Sequence, residues 1–236
     1  MKLKLISLCL LPLLTLFPLL TLASWEMDFD ELWATAGGWS NPYITDGLIA
    51  MWDGEWNAGY GVHDTSAQTW KDIVGDNDIT SITNSTWGEK WLVLGGVGPC
   101  GIVPVITNVV TFEVVQIVTS VNGGIISFGQ LTRQIHSNGT VWFEGSRSYG
   151  GVAVTIEEPH SQSAIYAEHL GTVFIDGAPA TKVTGSSGFN TAYNTMGAFS
   201  TYYSKNTLYC IRVYDKALSD AEIAHNYAVD KARFGL

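Results

Sequence analysis

One stretch near the C-terminus decides the fold: Tyr209-Cys-Ile-Arg-Val-Tyr-Asp-Lys-Ala-Leu-Ser-Asp-Ala-Glu-Ile-Ala-His-Asn-Tyr227. Its first residues alternate in polarity. Ile211 and Val213 share one face, while Cys210 and Arg212 share the other, as a β-strand with one buried face requires. The stretch therefore predicts a strand over 209–214.

A short capped helix is predicted directly after this strand. Ser219 and Glu222 are three residues apart, which is the spacing of a capping box. Leu218 and Ile223 flank the cap at the spacing of a hydrophobic staple. Ile223 and Tyr227 give the helix a single apolar stripe.

The rest of the chain predicts an all-β fold. Short runs rich in Val, Ile, Thr and aromatic residues are separated by Gly, Asn, Asp and Ser, as strands and turns are. Strands are predicted at 47–53, 67–73, 90–95, 109–119, 123–129, 140–144, 151–156, 163–169, 171–176, 179–184, 194–199 and 207–214. With one helix at the end, this pattern predicts a two-sheet antiparallel sandwich.

Four segments resemble laminin-G-like domains of the concanavalin A-like lectin/glucanase superfamily. The strand-turn-helix ending is similar to the closing segment of that family, and residues 46–57 with 69–78 are similar to its opening strand and first loop. Residues 123–129 and 171–177 fit its middle. The resemblance covers about residues 46–234 and implies a two-sheet jelly-roll sandwich, which leaves the hydrophobic N-terminal leader outside the domain.

The N-terminus predicts export. Lys2 and Lys4 precede an apolar run that ends at Thr21-Leu-Ala23, which indicates a signal peptide over residues 1–23 or an uncleaved membrane anchor. Residues 24–45 are interpreted as a spacer or flap, and residues 46–236 as the jelly-roll domain. The localisation predicted is secreted or cell surface.

The net charge restricts the classes of binding partner, and the two cysteines allow two arrangements. The net charge of −10, from 12 basic and 22 acidic residues, argues against nucleic acid, whose phosphates require a basic surface. Cys100 and Cys210 are the cysteines beyond the leader, and they either pair in the oxidising exterior or lie separately as small buried residues.

Calcium is the metal that the sequence favours. The resemblance implies an ion in the rim loops, and Asp and Asn residues are dense in two loops over 53–64 and 72–78. The alternative is that these residues simply form turns. Asp53 and Asp72 are the predicted ligands.

Aromatic residues in loops are the predicted ligand-binding residues, since aromatic rings stack on the apolar faces of sugars. These are Trp56, Tyr60, Trp87, Tyr202 and Tyr203. The strand residues are interpreted as core: Trp52, Trp70, Trp91 and Trp142.

A catalytic pair of carboxylates is not predicted. Glu26-Met-Asp-Phe-Asp-Glu31 matches the spacing that glucanases of this superfamily use, but it precedes the first predicted strand. Glu113 lies in an apolar strand, where it is either a buried acid with a functional role or a carboxylate bonded to a neighbouring strand.

The predicted function is a non-catalytic exported module that binds a glycan or a surface protein through rim loops. One alternative is a structural or adhesion protein of a phage particle or cell surface. The other is a glycoside hydrolase of the same fold.

Overall fold

The structure is a computed structural model that describes residues 41–119, 123–128, 131–135, 140–144, 148–165, 172–180, 183–184, 194–199 and 202–236. The predicted leader and residues 24–40 of the predicted spacer lie outside this part of the chain. Residues 42–236 form one compact unit. Among the described residues, no helix has the length and apolar character needed to cross a membrane.

The unit is built almost entirely from β-strands. In chain order they are β1 (Leu48–Asp53), β2 (Ser85–Trp87), β3 (Leu92–Leu94), β4 (Gly101–Ile102), β5 (Thr111–Val118), β6 (Gly123–Phe128), β7 (Leu131–Ile135), β8 (Thr140–Glu144), β9 (Ser148–Ala153), β10 (Pro159–Ile165), β11 (Thr172–Ile175), β12 (Ala178–Pro179), β13 (Val183–Thr184), β14 (Thr195–Met196), β15 (Ala198–Phe199), β16 (Tyr202–Tyr203) and β17 (Asn206–Tyr214). One helix, α1 (Asp220–Phe234), closes the described chain.

Two antiparallel sheets form the sandwich. The first has eight strands in the order β12-β11-β10-β5-β17-β3-β2, with β1 also pairing along β17. The second has seven strands in the order β13-β9-β8-β7-β6-β14-β4, and β15 and β16 form a separate hairpin. The predicted all-β, two-sheet sandwich with a C-terminal helix is confirmed.

The main core joins the two sheets. It contains Trp52, Val114 and Ile211 from the first sheet and Met196 from the second, all fully buried. Because side chains alternate along a strand, Phe112, Val114 and Val118 of β5 enter this core, and Leu208, Ile211 and Val213 of β17 join them. The predicted face of Ile211 and Val213 is therefore the inward face.

The opposite face of the first sheet is also buried, which the alternation alone did not indicate. Helix α1 covers it. One cluster there combines Met51 and Cys210 with Val229 of the helix, and another combines Tyr214 with Leu218 and Ile223. β17 is thus a central strand that is buried on both faces, rather than a strand with one buried face.

Helix α1 begins as predicted. The Ser219 side chain accepts from the Glu222 backbone N–H, and the Glu222 carboxylate accepts from the Ser219 N–H at 2.7 Å, which completes the capping box. Leu218 and Ile223 pack in one buried cluster, as a hydrophobic staple requires. The helix ends at Gly235, whose φ of 72° is left-handed and therefore suits glycine.

The buried stripe of α1 differs from the predicted one. Ile223 is buried as expected, but Asn226 and Asp230 are also fully buried, while Tyr227 is only half-buried. Hydrophobicity could not indicate Asn226 and Asp230, because they are buried by the polar groups that they bind on the sheet beneath α1.

A buried ionic network lies between α1 and the first sheet. Arg212, 1% exposed, donates from Nη1 and Nη2 to the two oxygens of Asp230, both at 2.7 Å. Its Nε donates to Glu113 Oε2 at 2.8 Å, and the Tyr43 ring centroid lies 4.0 Å from the guanidinium. Burial alone would lower the pKa of Arg212, but the charges of Asp230 and Glu113 raise it above its ordinary value.

Local polar groups complete this network. Ser163 Oγ donates to Glu113 Oε1 at 3.1 Å, and Asn226 Nδ2 donates to Glu113 Oε2 at 2.8 Å. Ser161 Oγ donates to Asp230 Oδ2 at 3.0 Å. Both carboxylate oxygens of Glu113 and both of Asp230 are therefore hydrogen-bonded, which is the condition under which buried charges are tolerated.

Some strand predictions are corrected. Residues 67–73 form a loop with a single β-bridge, from Trp70 to Ile79. No continuous strand forms there, because isolated backbone and side-chain hydrogen bonds hold the segment. The prediction missed β2, β4, β7 and β16, since none of them has a long apolar run. β10 begins at Pro159, four residues before the predicted strand, because Ser161 and Ser163 face the polar network rather than solvent.

Cys100 and Cys210 are both free thiols and both buried. Cys100 belongs to the main core and Cys210 to the cluster under α1. Of the two sequence-based alternatives, the structure shows the separate small buried residues. Burial raises the pKa of each thiol.

Candidate functional site

Two of the predicted ligand-binding residues come together at the end of β1. Trp56 and Tyr60 lie in the loop that follows the strand, with ring centroids 4.8 Å apart. Tyr60 is 41% exposed. Two glycines in this loop, Gly59 and Gly61, have positive φ values of 123° and 70°, which a residue with a Cβ rarely adopts.

The buried side chain of Asn57 closes this loop. Its Nδ2 donates to the Asp64 carbonyl at 2.8 Å, and its Oδ1 accepts from the Asp64 N–H at 2.8 Å. Asn57 is 0% exposed. This paired contact ties the beginning of the loop to its end and so presents Trp56 and Tyr60 on a defined backbone.

Arg233 of α1 holds Trp56 in place. Its guanidinium carbon is 4.7 Å from the Trp56 ring centroid, a cation–π contact. Nη1 donates to Asp53 Oδ2 at 2.7 Å and Nη2 donates to Glu55 Oε2 at 3.1 Å. Burial would lower the pKa of Arg233, but the charge of Asp53 raises it, so the guanidinium stays protonated.

A second group of rings continues from Arg233. The guanidinium carbon is 4.8 Å from the Phe234 ring. Phe234 is followed by Tyr209, with centroids 5.2 Å apart, and Tyr209 by Trp91, with centroids 5.6 Å apart. We call the rings of Trp56, Tyr60, Trp91, Tyr209 and Phe234 the aromatic rim.

A β-bulge places Tyr209 in this group. The pairing of β17 with β5 shifts between Leu208 and Cys210, so Tyr209 is an extra residue on its strand. Strict alternation would turn Tyr209 away from Cys210, yet both side chains contact the cluster under α1. The bulge therefore adds one more ring to the rim.

Two glycines allow close packing here, Gly54 between two chain segments and Gly88 within one turn. A Cβ on Gly54 would lie 2.5 Å from the Lys90 carbonyl oxygen, and a Cβ on Gly88 would lie 2.1 Å from Trp91 Nε1. Both distances are far below any real contact. The loop after β1 can approach Lys90 in the turn before β3 because Gly54 has no Cβ, while Gly88 leaves room for the Trp91 ring within that same turn.

Trp87 requires a correction. The sequence indicated a loop residue with an exposed ring, but Trp87 ends β2 and is 8% exposed. Its ring meets Trp70 edge to face, with centroids 5.3 Å apart, and its Nε1 donates to the Ala67 carbonyl. The ring is buried because β2 pairs with β3, opposite Leu92.

The two remaining predicted aromatics lie apart from the rim. Tyr203 is 40% exposed on β16, in the hairpin beside β6 of the second sheet. The side chain of Tyr202 lies outside what the structure describes. Both stay predictions.

The predicted core tryptophans are only partly confirmed. Trp52 and Trp70 are fully buried. Trp91 is half-buried and belongs to the aromatic rim, and the Trp142 side chain lies outside the described residues.

The predicted calcium ligands have other partners. Asp53 is 0% exposed and its Oδ2 is bonded to Arg233. Asp72 Oδ1 accepts from the Met51 and Val74 N–H groups, while Oδ2 accepts from the backbone and side chain of Asn77. To coordinate calcium, these oxygens would have to share or give up the hydrogen bonds that they accept here.

In the described part of the chain, no three His, Cys, Asp or Glu side chains are grouped closely enough to hold a metal ion. Calcium binding stays a prediction from the sequence.

Glu113 is a structural carboxylate in this geometry. It is 1% exposed, lies under α1, and both oxygens accept hydrogen bonds from neighbouring elements. This matches the interpretation of a carboxylate bonded to a neighbouring strand. The glucanase-like segment Glu26–Glu31 lies outside the described residues.

The sequence does not predict that four residues lie together in one site: Trp91, Tyr209, Arg233 and Phe234. Their separation along the chain carries no spacing signal. The available hints were two glycines, Gly54 and Gly88, next to polar and aromatic residues. Glycine alone does not distinguish a close approach from an ordinary turn.

The fold of the chain is similar to that of several solved structures, while no family model and no curated protein matches it. A sialidase of Trypanosoma rangeli in complex with sialic acid aligns over 92% of this chain, with a TM-score of 0.57 and 15% identity. This chain spans only 39% of the sialidase.

Two further structures are similar. Domain 4 of AbnA, an extracellular GH43 arabinanase from Geobacillus stearothermophilus, in complex with arabinotriose, aligns over 77% of this chain and 98% of its own length, with a TM-score of 0.54 and 14% identity. A mutant of HCR/D aligns over 80% of this chain and 54% of its own, with a TM-score of 0.59 and 12% identity. At these identities the likeness is one of fold.

Proposed function

We propose that residues 46–236 form a laminin-G-like, non-catalytic glycan-binding module and that the aromatic rim is its binding site. The observation that carries the proposal is the Trp56–Tyr60 pair, two rings 4.8 Å apart in a loop at the end of β1. Aromatic rings accept the apolar faces of sugars, and adjacent polar groups bind the hydroxyls.

The polar groups beside the pair suit such a ligand. Glu55 is 30% exposed and Lys90 is 43% exposed, and their charged atoms are 3.3 Å apart. One can accept and the other donate hydrogen bonds to hydroxyl groups. Solved neighbours of the same fold contain sialic acid and arabinotriose, which supports a carbohydrate as the ligand.

The non-catalytic part of the proposal rests on the carboxylates. Glycoside hydrolysis uses two carboxyl groups that flank an accessible bond. Glu113 and Asp230 share Arg212 but lie under α1 at 1% and 0% exposure. A sugar cannot reach them without displacement of the helix. Export to the exterior or the cell surface remains part of the proposal, from the predicted leader.

A glycan array with the purified full-length chain tests the proposal, followed by calorimetry on the sugars that bind. We expect Trp56→Ala and Tyr60→Ala to weaken binding about tenfold or more, because each removes a stacking face. Tyr203→Ala is the matched control, since Tyr203 is 40% exposed against 41% for Tyr60. It should bind like the unmodified protein.

Three results would contradict the proposal. Binding to no sugar would favour the structural or adhesion protein of a phage particle or cell surface, or a surface-protein partner. Loss of binding in Tyr203→Ala alone would move the site to the β15–β16 hairpin. Release of reducing sugar that disappears in Glu113→Gln or Glu26→Gln would make the protein a hydrolase.

A further inference from the structure

We propose that the aromatic rim binds an extended, uncharged oligosaccharide, with the Trp56–Tyr60 pair holding one part of the chain and Trp91 another. This inference rests on the proposed glycan-binding function and specifies its ligand. It concerns the length and the charge of the sugar, neither of which the Trp56–Tyr60 pair determines alone.

The succession of rings is the first argument. Arg233 lies 4.7 Å from Trp56 and 4.8 Å from Phe234, so it connects the loop pair to the second group. Tyr209 and Trp91 then follow at centroid distances of 5.2 and 5.6 Å. One sugar residue covers one stacking face, whereas a chain of sugars can use several in sequence.

The polar groups run alongside these rings. Glu55 contacts Arg233 at 3.1 Å, between the two groups, and Lys90 at 3.3 Å, next to Trp91 in sequence. Hydrogen-bonding groups therefore accompany the rings from one group to the other. A ligand with hydroxyls at regular intervals matches this arrangement.

The local charges favour an uncharged ligand. Arg233 is only 9% exposed and donates to Asp53 and Glu55, while the Lys90 ammonium is paired with Glu55. Glu89 is exposed on the same turn and adds a negative charge. An anionic sugar would meet cations that are already neutralised, on a molecule of net charge −10.

The site is also ordered in advance. Gly54 allows the loop to touch the turn, Gly88 makes room for Trp91 within the turn, and Glu55 links Arg233 of the helix to Lys90 of the turn. Rings that are already in position lose little conformational entropy when a ligand stacks on them. A long ligand can therefore gain affinity from each additional ring that it contacts.

The test uses oligosaccharide ladders from disaccharide to hexasaccharide of the cello, xylo, malto and arabino series, with sialyllactose as the charged probe. Calorimetry on the full-length chain should show affinity that rises about tenfold or more with length in the series that binds. Trp91→Ala should abolish this rise.

Trp91→Leu, which retains apolar volume but no aromatic face, serves as the second variant, and its urea midpoint checks folding. Equal affinity at all lengths, or an unchanged ladder in both Trp91 variants, would overturn the inference and leave the proposed function standing. Tighter binding of sialyllactose than of any neutral ladder would overturn the uncharged ligand. Binding to no probe would overturn the proposed function first.

Discussion

Arg212 supplies the positive charge that balances the two carboxylates buried between the first sheet and helix α1. It is directly opposite Glu113 in the register of β17 and β5, and it meets Asp230 of the helix in a two-point contact. Three charged groups are thereby buried together. Removal of the single cation would leave two carboxylates buried without a counter-charge.

We expect Arg212→Met to lower the free energy of unfolding by about 3–5 kcal/mol, the usual effect of breaking a buried ion pair. Urea denaturation at neutral pH measures the change. Lys71→Met is the control, because Lys71 pairs with Asp78 at the surface with 48% of its side chain exposed. Exposed pairs contribute little, so this variant should be close to the unmodified protein.

If Arg212→Met were no less stable than Lys71→Met, the carboxylates would have to be neutral or hydrated in the folded protein. The network would then not be the charged cluster that the geometry indicates.

At the scale of single residues, the sequence predicted side-chain type better than exposure. The sequence predicts both Trp56 and Trp87 to be loop aromatics, and only the pairing of β2 with β3 distinguishes them. Glu113 was recognised as unusual because it interrupts an apolar run. Its partner Arg212 is 99 residues away, so no local pattern could connect them.

At the scale of elements, helix α1 shows how a local signal becomes a tertiary contact. The capping box and the staple involve residues a few positions apart, and both were predicted correctly. The bulge at Tyr209 was not predicted, since a bulge depends on the partner strand as much as on its own sequence.

The cap also makes stability depend on pH. Hydrogen bonds from Ser219 and Lys216 lower the pKa of Glu222 from 4.5 to about 2. A carboxylate whose pKa is lower in the folded state stabilises the fold fully at pH values above its pKa in the unfolded chain. This stabilisation is lost as the pH falls through its pKa in the folded protein. Stability should therefore depend on Glu222 over the range from about pH 4.5 down to about pH 2.

We expect Glu222→Gln to lower the free energy of unfolding by about 1 kcal/mol at neutral pH, as loss of a helix cap does. The difference from the unmodified protein should shrink as the pH falls from 4.5 toward 2, where Glu222 itself becomes protonated. Urea midpoints at a series of pH values measure this. Glu158→Gln, which removes an exposed carboxylate in a turn, should show no such trend.

A difference that grows as the pH falls would have the wrong sign. It would show that Glu222 is not held as a carboxylate by the cap.

At the scale of the whole molecule, the effect of calcium on thermal stability tests the predicted metal site. The hydrogen bonds that Asp53 and Asp72 make within the protein argue for a small effect. An ion at about 100 times its dissociation constant would stabilise the fold by about 2.7 kcal/mol, a shift of several degrees in the melting temperature. Because Asp53 and Asp72 are fully bonded within the protein, we expect a shift within about 1 °C between millimolar calcium and EDTA.

Differential scanning calorimetry measures this shift. A rise of several degrees with calcium that is absent in Asp72→Asn would confirm the sequence-based prediction of a metal ligand. It would also require the loop over 72–78 to rearrange around the ion.

The sequence by itself determined the periodicity of the strands, the capped helix and hence the two-sheet sandwich, because these signals act between residues a few positions apart. Only the tertiary structure decided which rings form the aromatic rim, which tryptophan is buried and which carboxylates share Arg212. These groups come from segments far apart in the chain, and their meeting depends on strand register, a bulge and the docking of α1. Register depends on which faces of two partner strands are buried together, and no single stretch of sequence contains both strands.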